Sequence, residues 1–183
     1  MTAGCVNTTD EKSKYGAALA FATEKHSWQT RIGGLPYITH PVTVAELIKE
    51  QGFGEEYIIT ALFHDLLEDT DATEQEIFSI GGQSVLEAVK LLTKQKGYTM
   101  ENYVSAIRKN PIAFAVKGAD RLHNLRSAVC TSEDFKRRYI LETLDYYMDF
   151  HPDIPNAVKA LAKSMKSPIA ELPLNYVPVR NKE

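Results

Sequence analysis

Apolar residues recur at helical spacing along almost the whole chain, and no segment alternates convincingly in twos. Over 183 residues that pattern leaves an all-α class, with about nine helices and spacers short enough for a compact bundle. Tyr15, Ala18, Leu19, Phe21 and Ala22 form a stripe on a helix running from Lys14 to about Trp28. Pro41 suits the first turn of a second helix opening at Thr39-His40 and ending at Gly52. A third is expected from about Glu55 to Glu68. Thr73, with Glu76 in capping-box register, starts a fourth that Gly81-Gly82 stops. A fifth covers Val85 to about Lys94 and a sixth Thr99 to Lys109. Asn110-Pro111 opens a seventh reaching Ala128, and Thr131 or Ser132 caps an eighth reaching Phe150. Pro152 and Pro155 interrupt before a ninth, Ala157 to Met165.

The charge balance narrows the function classes. With 21 basic and 24 acidic side chains the net charge is −3, which argues against a generally basic nucleic-acid binder but leaves room for a local basic pocket. No run of apolar residues is long enough to span a membrane. The opening MTAGCVNTTDEKSK has no apolar centre, so no signal peptide is expected. Cys5 and Cys130 have no CxxC partner and read as free thiols of a reducing cytoplasm.

Three segments carry chemistry. In YIITALFHDLLEDT, a helical wheel places His64, Asp65, Glu68 and Asp69 on one arc and Leu62, Phe63, Leu66 and Leu67 on the other. That is either a solvated acidic face or a set of carboxylates around a cation. The apolar upstream half, Tyr57 to Phe63, places the helix inside the domain, where clustered carboxylates call for a cation. An imidazole next to a carboxylate suits a divalent metal. In AVKGADRLHNLRS, Asp120 and Asn124 stack one turn apart, with Lys117 and Arg121 beside them, as a helix ion-pair lattice or as part of a site. In RIGGLPYITHP, Gly33 and Gly34 permit a sharp turn and His40 sits at a helix start, a capping histidine or a ligand. His26 reads as a loop brace, His123 as core-facing, His151 as solvated, and Trp28 as a packing residue or one that its loop offers to a purine.

Taken together, HSWQTRIGGLPYITHP, ALFHDLLEDTD, LTK at Leu92–Lys94 and VKGADRLHNLR resemble the HD superfamily of metal-dependent phosphohydrolases. The likeness is closest to the hydrolase domain of RelA/SpoT-type alarmone enzymes, of the small, hydrolase-only kind. The resemblance implies His40, His64, Asp65 and Asp120 as ligands of a divalent metal, usually manganese. It implies Glu68 and Asp69 as the pair that activates water, and Arg31 and Asn124 as substrate contacts. Ile32 stands where the family commonly has a pocket lysine, which would weaken phosphate contact.

The activity so implied is removal of the 3′-pyrophosphate of (p)ppGpp, giving GDP or GTP and pyrophosphate. The rivals are an HD enzyme acting on an adenine alarmone, a nucleoside monophosphate or the 2′-phosphate of NADPH, and a non-catalytic module that kept the fold. Lys25, Lys117, Arg121 and Arg126 are further candidates for phosphate contact. The expected partner is a small nucleotide, without nucleic acid or membrane, in a possible homo-oligomer. The expected organisation is a flexible N-terminus over 1–13, an HD-type phosphohydrolase domain over 14–167 and a proline-bearing tail over 168–183.

Overall fold

The helical period is realised as ten α-helices among the described residues of the computed structural model, which are 8–31 and 33–166, with side chains from Lys14 onward. They are α1 (Thr8–Lys25), α2 (Thr39–Glu50), α3 (Glu55–Phe63), α4 (Leu66–Asp69), α5 (Glu74–Gly81), α6 (Gln83–Leu92), α7 (Met100–Arg108), α8 (Pro111–Ser127), α9 (Glu133–Tyr146) and α10 (Ile154–Lys163). A single 3₁₀ turn, Ala128–Cys130, follows α8. Beyond the helices, the described residues hold one isolated bridge, Thr30 to Pro36. The first seven residues, Ile32 and the tail over 168–183 lie outside the described residues.

The caps fall where the sequence puts them. Thr73 and Glu76 form the reciprocal capping box of α5. The side chains of Thr99, Asn110 and Ser132 cap α7, α8 and α9. Three expectations need correction. The first helix begins at Thr8, six residues before Lys14. The third is two helices, interrupted at His64-Asp65. Pro155 sits in the first turn of α10 rather than ending a segment, because a proline there removes only an amide that has no helical partner.

Helix α3 is the hub. Ile59, Thr60, Ala61, Leu62 and Phe63 are all buried, and α1, α2, α6 and α8 pack around them. Val44 and Ile48 of α2, Val89 of α6, and Val116 and Leu122 of α8 complete that core. Each large side chain so buried contributes about 1.5–3 kcal/mol relative to exposure. Gly118 lets α8 approach the turn after α9: a Cβ there would overlap the Phe150 carbonyl. No helix among the described residues is long and apolar enough to cross a membrane.

Candidate functional site

The segment before α2 turns back on itself. Gly33 and Gly34 have φ of 101° and 84°, a region side chains rarely adopt. Arg31 N–H donates to the Leu35 carbonyl at 2.8 Å, and Tyr37 N–H to that of Gln29 at 3.0 Å. This turn presents Arg31 and Tyr37 and feeds His40 into the first turn of α2. His26 braces it as expected: its ring lies 4.7 Å from that of Tyr37, and its Nδ1 is 2.8 Å from Gln29 Oε1. Gln29 in turn donates to the Asp69 carbonyl at 2.6 Å.

Four of the predicted side chains converge. His40 Nε2 is 3.2 Å from His64 Nε2, 3.1 Å from Asp120 Oδ1 and 3.7 Å from Asp65 Oδ2. His64 Nε2 is 3.0 Å from Asp65 Oδ2 and 3.8 Å from Asp120 Oδ1. His40, His64 and Asp120 are 5% exposed or less. His64 Nδ1 donates to the Ala61 carbonyl at 2.7 Å, so Nε2 is the nitrogen turned inward, where it can carry a proton or, deprotonated, offer a lone pair to a metal. Two imidazole nitrogens facing each other between two carboxylate oxygens make a place that suits a cation, a proton or a metal ion. His40, His64 and Asp65 place one ligand atom each within 4.8 Å of one another. A mixed nitrogen and oxygen donor set of this kind, with no thiolate, fits a divalent ion.

Asp120 is held by its own helix. Lys117 Nζ donates to Oδ2 at 2.9 Å and Asn124 Nδ2 to Oδ1 at 2.6 Å. Arg31 Nη2 donates to Asn124 Oδ1 at 3.0 Å, so the two predicted substrate contacts touch each other at the mouth. Glu68 lines a cavity of about 270 Å³ together with His40, His64, Asp65 and Asp120. Asp69 stands outside that wall, joined to it through Tyr37, whose hydroxyl donates to Asp65 Oδ2 at 2.6 Å and lies 3.3 Å from Asp69 Oδ2.

A model of the HD domain matches residues 18–151. The chain belongs to the HD domain family. Among the relatives of this HD protein, the "GTP pyrophosphokinase rsh" of Brucella ovis is 34% identical over 171 residues, covering 87% of this chain and 22% of that protein. The "Bifunctional (p)ppGpp synthase/hydrolase SpoT" of Escherichia coli K12 is 36% identical over 149 residues, covering 75% of this chain and 21% of that protein. The chain therefore spans about a fifth of the length of these curated relatives. A solved structure of a metazoan SpoT orthologue superposes with a TM-score of 0.68 at 21% identity, over 89% of this chain and 97% of that one. At that identity the likeness is one of fold.

Electrostatics in the HD centre follow from burial and pairing. Burial alone would lower His64, but the Asp65 carboxylate overrides it and pushes the imidazole up to about 9. Burial lowers His40. It would raise Asp120, but the Lys117 ammonium holds that carboxyl well below its usual range. Asp69 is raised, by burial first and then by Asp65 and Glu68, which makes it a stronger base than a free aspartate.

Several residues of the HD site were not read from the sequence. Tyr37 bridges Asp65 and Asp69. His123 is not core-facing: its Nδ1 lies 2.6 Å from His40 Nδ1. Glu142 lines the inner cavity, as do Lys94 of the LTK motif and the phosphate candidates Lys117 and Arg121. A second cavity of about 330 Å³ adjoins it through Arg31, Tyr37, Asn124 and Tyr139, and its outer wall includes Thr131 and Phe135. Of the phosphate candidates, Lys25 is turned away onto Asp71 and Glu76 at 3.1 and 3.2 Å, and Arg126 pairs with Asp153 at 3.3 Å. Trp28 is 74% exposed and does not pack. His151 is buried rather than solvated, its Nδ1 accepting the Asp153 N–H at 3.0 Å. Ile32 lies outside the described residues.

Proposed function

We propose that this HD protein is a (p)ppGpp hydrolase, releasing pyrophosphate from the ribose 3′-position and leaving GDP or GTP. One observation carries the reading: His40 Nε2, His64 Nε2, Asp65 Oδ2 and Asp120 Oδ1 converge on a cavity that Arg31, Lys94 and Lys117 also line. That pairs a metal-ligand set with a cationic wall for phosphates. The names of the curated relatives support the choice of nucleotide, among them the guanosine-3′,5′-bis(diphosphate) 3′-pyrophosphohydrolase of Escherichia coli O157:H7, 36% identical over 149 residues.

In this reading His40, His64, Asp65 and Asp120 hold one divalent ion, preferentially manganese. When bound, the ion neutralises phosphoryl oxygens and acidifies water. The protein's own groups do the rest. Water attacks the phosphorus attached to the ribose 3′-oxygen and that P–O bond breaks. Glu68 or Asp69 accepts the proton lost by the water, and that proton passes to the departing 3′-oxygen, which leaves as a hydroxyl. Asp69 suits this role because its carboxyl is raised and Tyr37 holds it beside Asp65. Arg31, fixed by Asn124, meets the nucleotide where the two cavities join. The reading places the enzyme in the cytoplasm, with its nucleotide substrate.

The test is incubation of manganese-loaded protein with ppGpp, an adenine alarmone, NADPH and a nucleoside monophosphate. Equal release of pyrophosphate and GDP from ppGpp, abolished by chelation and restored by manganese, is the expected result. Phosphate release from NADPH or a monophosphate with ppGpp untouched would overturn the substrate assignment.

A further inference from the structure

His40 presents Nε2 to the centre, so its other nitrogen decides whether that lone pair is available. Nδ1 of His40 lies 2.6 Å from Nδ1 of His123, and the two ring planes are 17° apart with centroids at 4.9 Å, so the rings meet edge to edge through these nitrogens. One of the two Nδ1 atoms carries the proton and the other accepts it. If His123 donates, His40 carries its proton on Nε2, where it bonds to Asp120 Oδ1 and closes the centre. If His123 accepts, His40 Nε2 is a free lone pair.

The rest of α8 resolves the choice. Ser127 Oγ donates to the His123 carbonyl at 2.9 Å, so its hydrogen is committed and its lone pairs remain. His123 Nε2 lies 3.4 Å from that oxygen, a long contact that favours Nε2–H as donor without locking it. A neutral imidazole protonated on Nε2 has its lone pair on Nδ1. Proton placement then runs in one direction: His123 Nε2–H to Ser127, His40 Nδ1–H to His123, and His40 Nε2 bare toward Asp65 and Asp120. We infer that His123 is a positioning residue for the metal centre, an acceptor that holds His40 in its ligand tautomer, with Ser127 biasing His123. Outer partners of ligating histidines generally act in this way. Ser127 also lines the outer cavity, so a ligand there reaches the oxygen on which the relay ends.

This inference rests on His40 being a metal ligand, and the experiment separates the two. Protein stripped of metal is titrated with manganese alone by calorimetry, as wild type, His123→Ala and His123→Asn. Asparagine places an amide oxygen at the position of Nδ1 and restores the acceptor. The expected result is affinity about 10–100-fold weaker in His123→Ala and within about threefold of wild type in His123→Asn, with both variants keeping a helical circular dichroism spectrum. Wild-type affinity in His123→Ala, or equal loss in both variants, overturns the inference. Absence of manganese binding in the wild type overturns the metal centre and this inference with it. A measurement free of variants is nitrogen NMR on the magnesium- or zinc-loaded wild type. Nε2–H on His123 and Nδ1–H on His40 are expected, and Nδ1–H on His123 overturns the assignment.

Discussion

The inner and outer cavities share a wall but are built on opposite principles. The inner one is lined by His40, His64, Asp65, Glu68, Lys94, Lys117 and Asp120, and almost every polar atom is held by another. Asp120 alone takes Lys117 on one oxygen and Asn124 on the other. The outer one is walled by Thr131, Ala128, Phe135 and Tyr139, with the last two aromatic rings stacked at 13° and 5.4 Å. Buried charges demand fixed partners, since each unpaired one is costly. Aromatic faces accept a planar ligand with little prior ordering. On the proposed function, catalysis would fall to the inner cavity and recognition to the outer, with Arg31, Tyr37, Asn124 and Tyr139 shared between them.

The strongest way to break that division is at Asp120. Asp120→Ala removes a proposed ligand and strands the partly buried Lys117 ammonium, 16% exposed in the same wall. Metal should be lost, and with it several kcal/mol of phosphoryl stabilisation. Removing one partner of a buried pair costs a further ~3–5 kcal/mol of stability. A double variant, Asp120→Ala with Lys117→Met, should recover much of that stability and none of the metal, read by urea denaturation and metal content. Full metal occupancy in Asp120→Ala would make the aspartate a plain ion-pair residue. The next largest effect separates ligand from base. Glu68→Gln and Asp69→Asn should keep the metal and lower turnover by about 10²–10⁴. Normal turnover in both would take the pair out of the mechanism.

At the shared wall the expected effect moves from kcat to KM. Arg31→Ala removes a guanidinium that Asn124 holds in place, and a charge-assisted bond there is worth about 1.5–3 kcal/mol. KM for ppGpp should rise about 10–100-fold with kcat nearly unchanged. In the outer cavity, Phe135→Ala should raise KM by less, about 2–10-fold, the range of a lost aromatic contact. A fall in kcat without a change in KM for either variant would show that the two cavities do not divide the work.

What could be read from the chain differs between these cavities for a physical reason. The inner side chains sit in short motifs whose local turns and caps place them, so PYITHP, HDLLED and ADRLHN carry nearly all of the site. A wheel over residues 57–70 takes them as one continuous helix, whereas the structure interrupts it between Phe63 and Leu66. No glycine or proline marks the break, and His64 and Asp65 keep right-handed helical angles, so no local signal existed. His123 was misplaced because a single helix does not say which neighbour it faces, and α2 supplies His40 from far along the chain. The outer wall depends on α9 docking on α8, where Arg121 donates to Thr143, Glu142 and the Tyr139 carbonyl. Those contacts are tertiary, and no motif in α9 announces them.

The smallest expected effect lies behind α8, where neither cavity reaches. The proline after His151 suggests a solvated ring, but Gly118 lets the turn sink against α8 and buries it. Burial disfavours the charged form and lowers this imidazole below its ordinary 6.5; Asp153 pulls it back up and Arg126 pushes it further down. The unfolded chain therefore binds the proton more readily than the folded one below that pH. Stability from this group is complete above pH 6.5 and is lost as pH falls through the folded value. Protonation also ends the bond that Nδ1 accepts from Asp153 N–H, worth about 0.5–1.5 kcal/mol. His151→Asn keeps an acceptor at that position and cannot titrate. The urea midpoint of the wild type should fall more between pH 7.5 and pH 5 than that of His151→Asn, while the other histidines titrate alike in both. Neither KM nor kcat at neutral pH should change in the variant. A change in either would mean that the turn behind α8 transmits to the cavities in front of it, and the division between a rigid inner site and an adaptable outer one would then need a third participant.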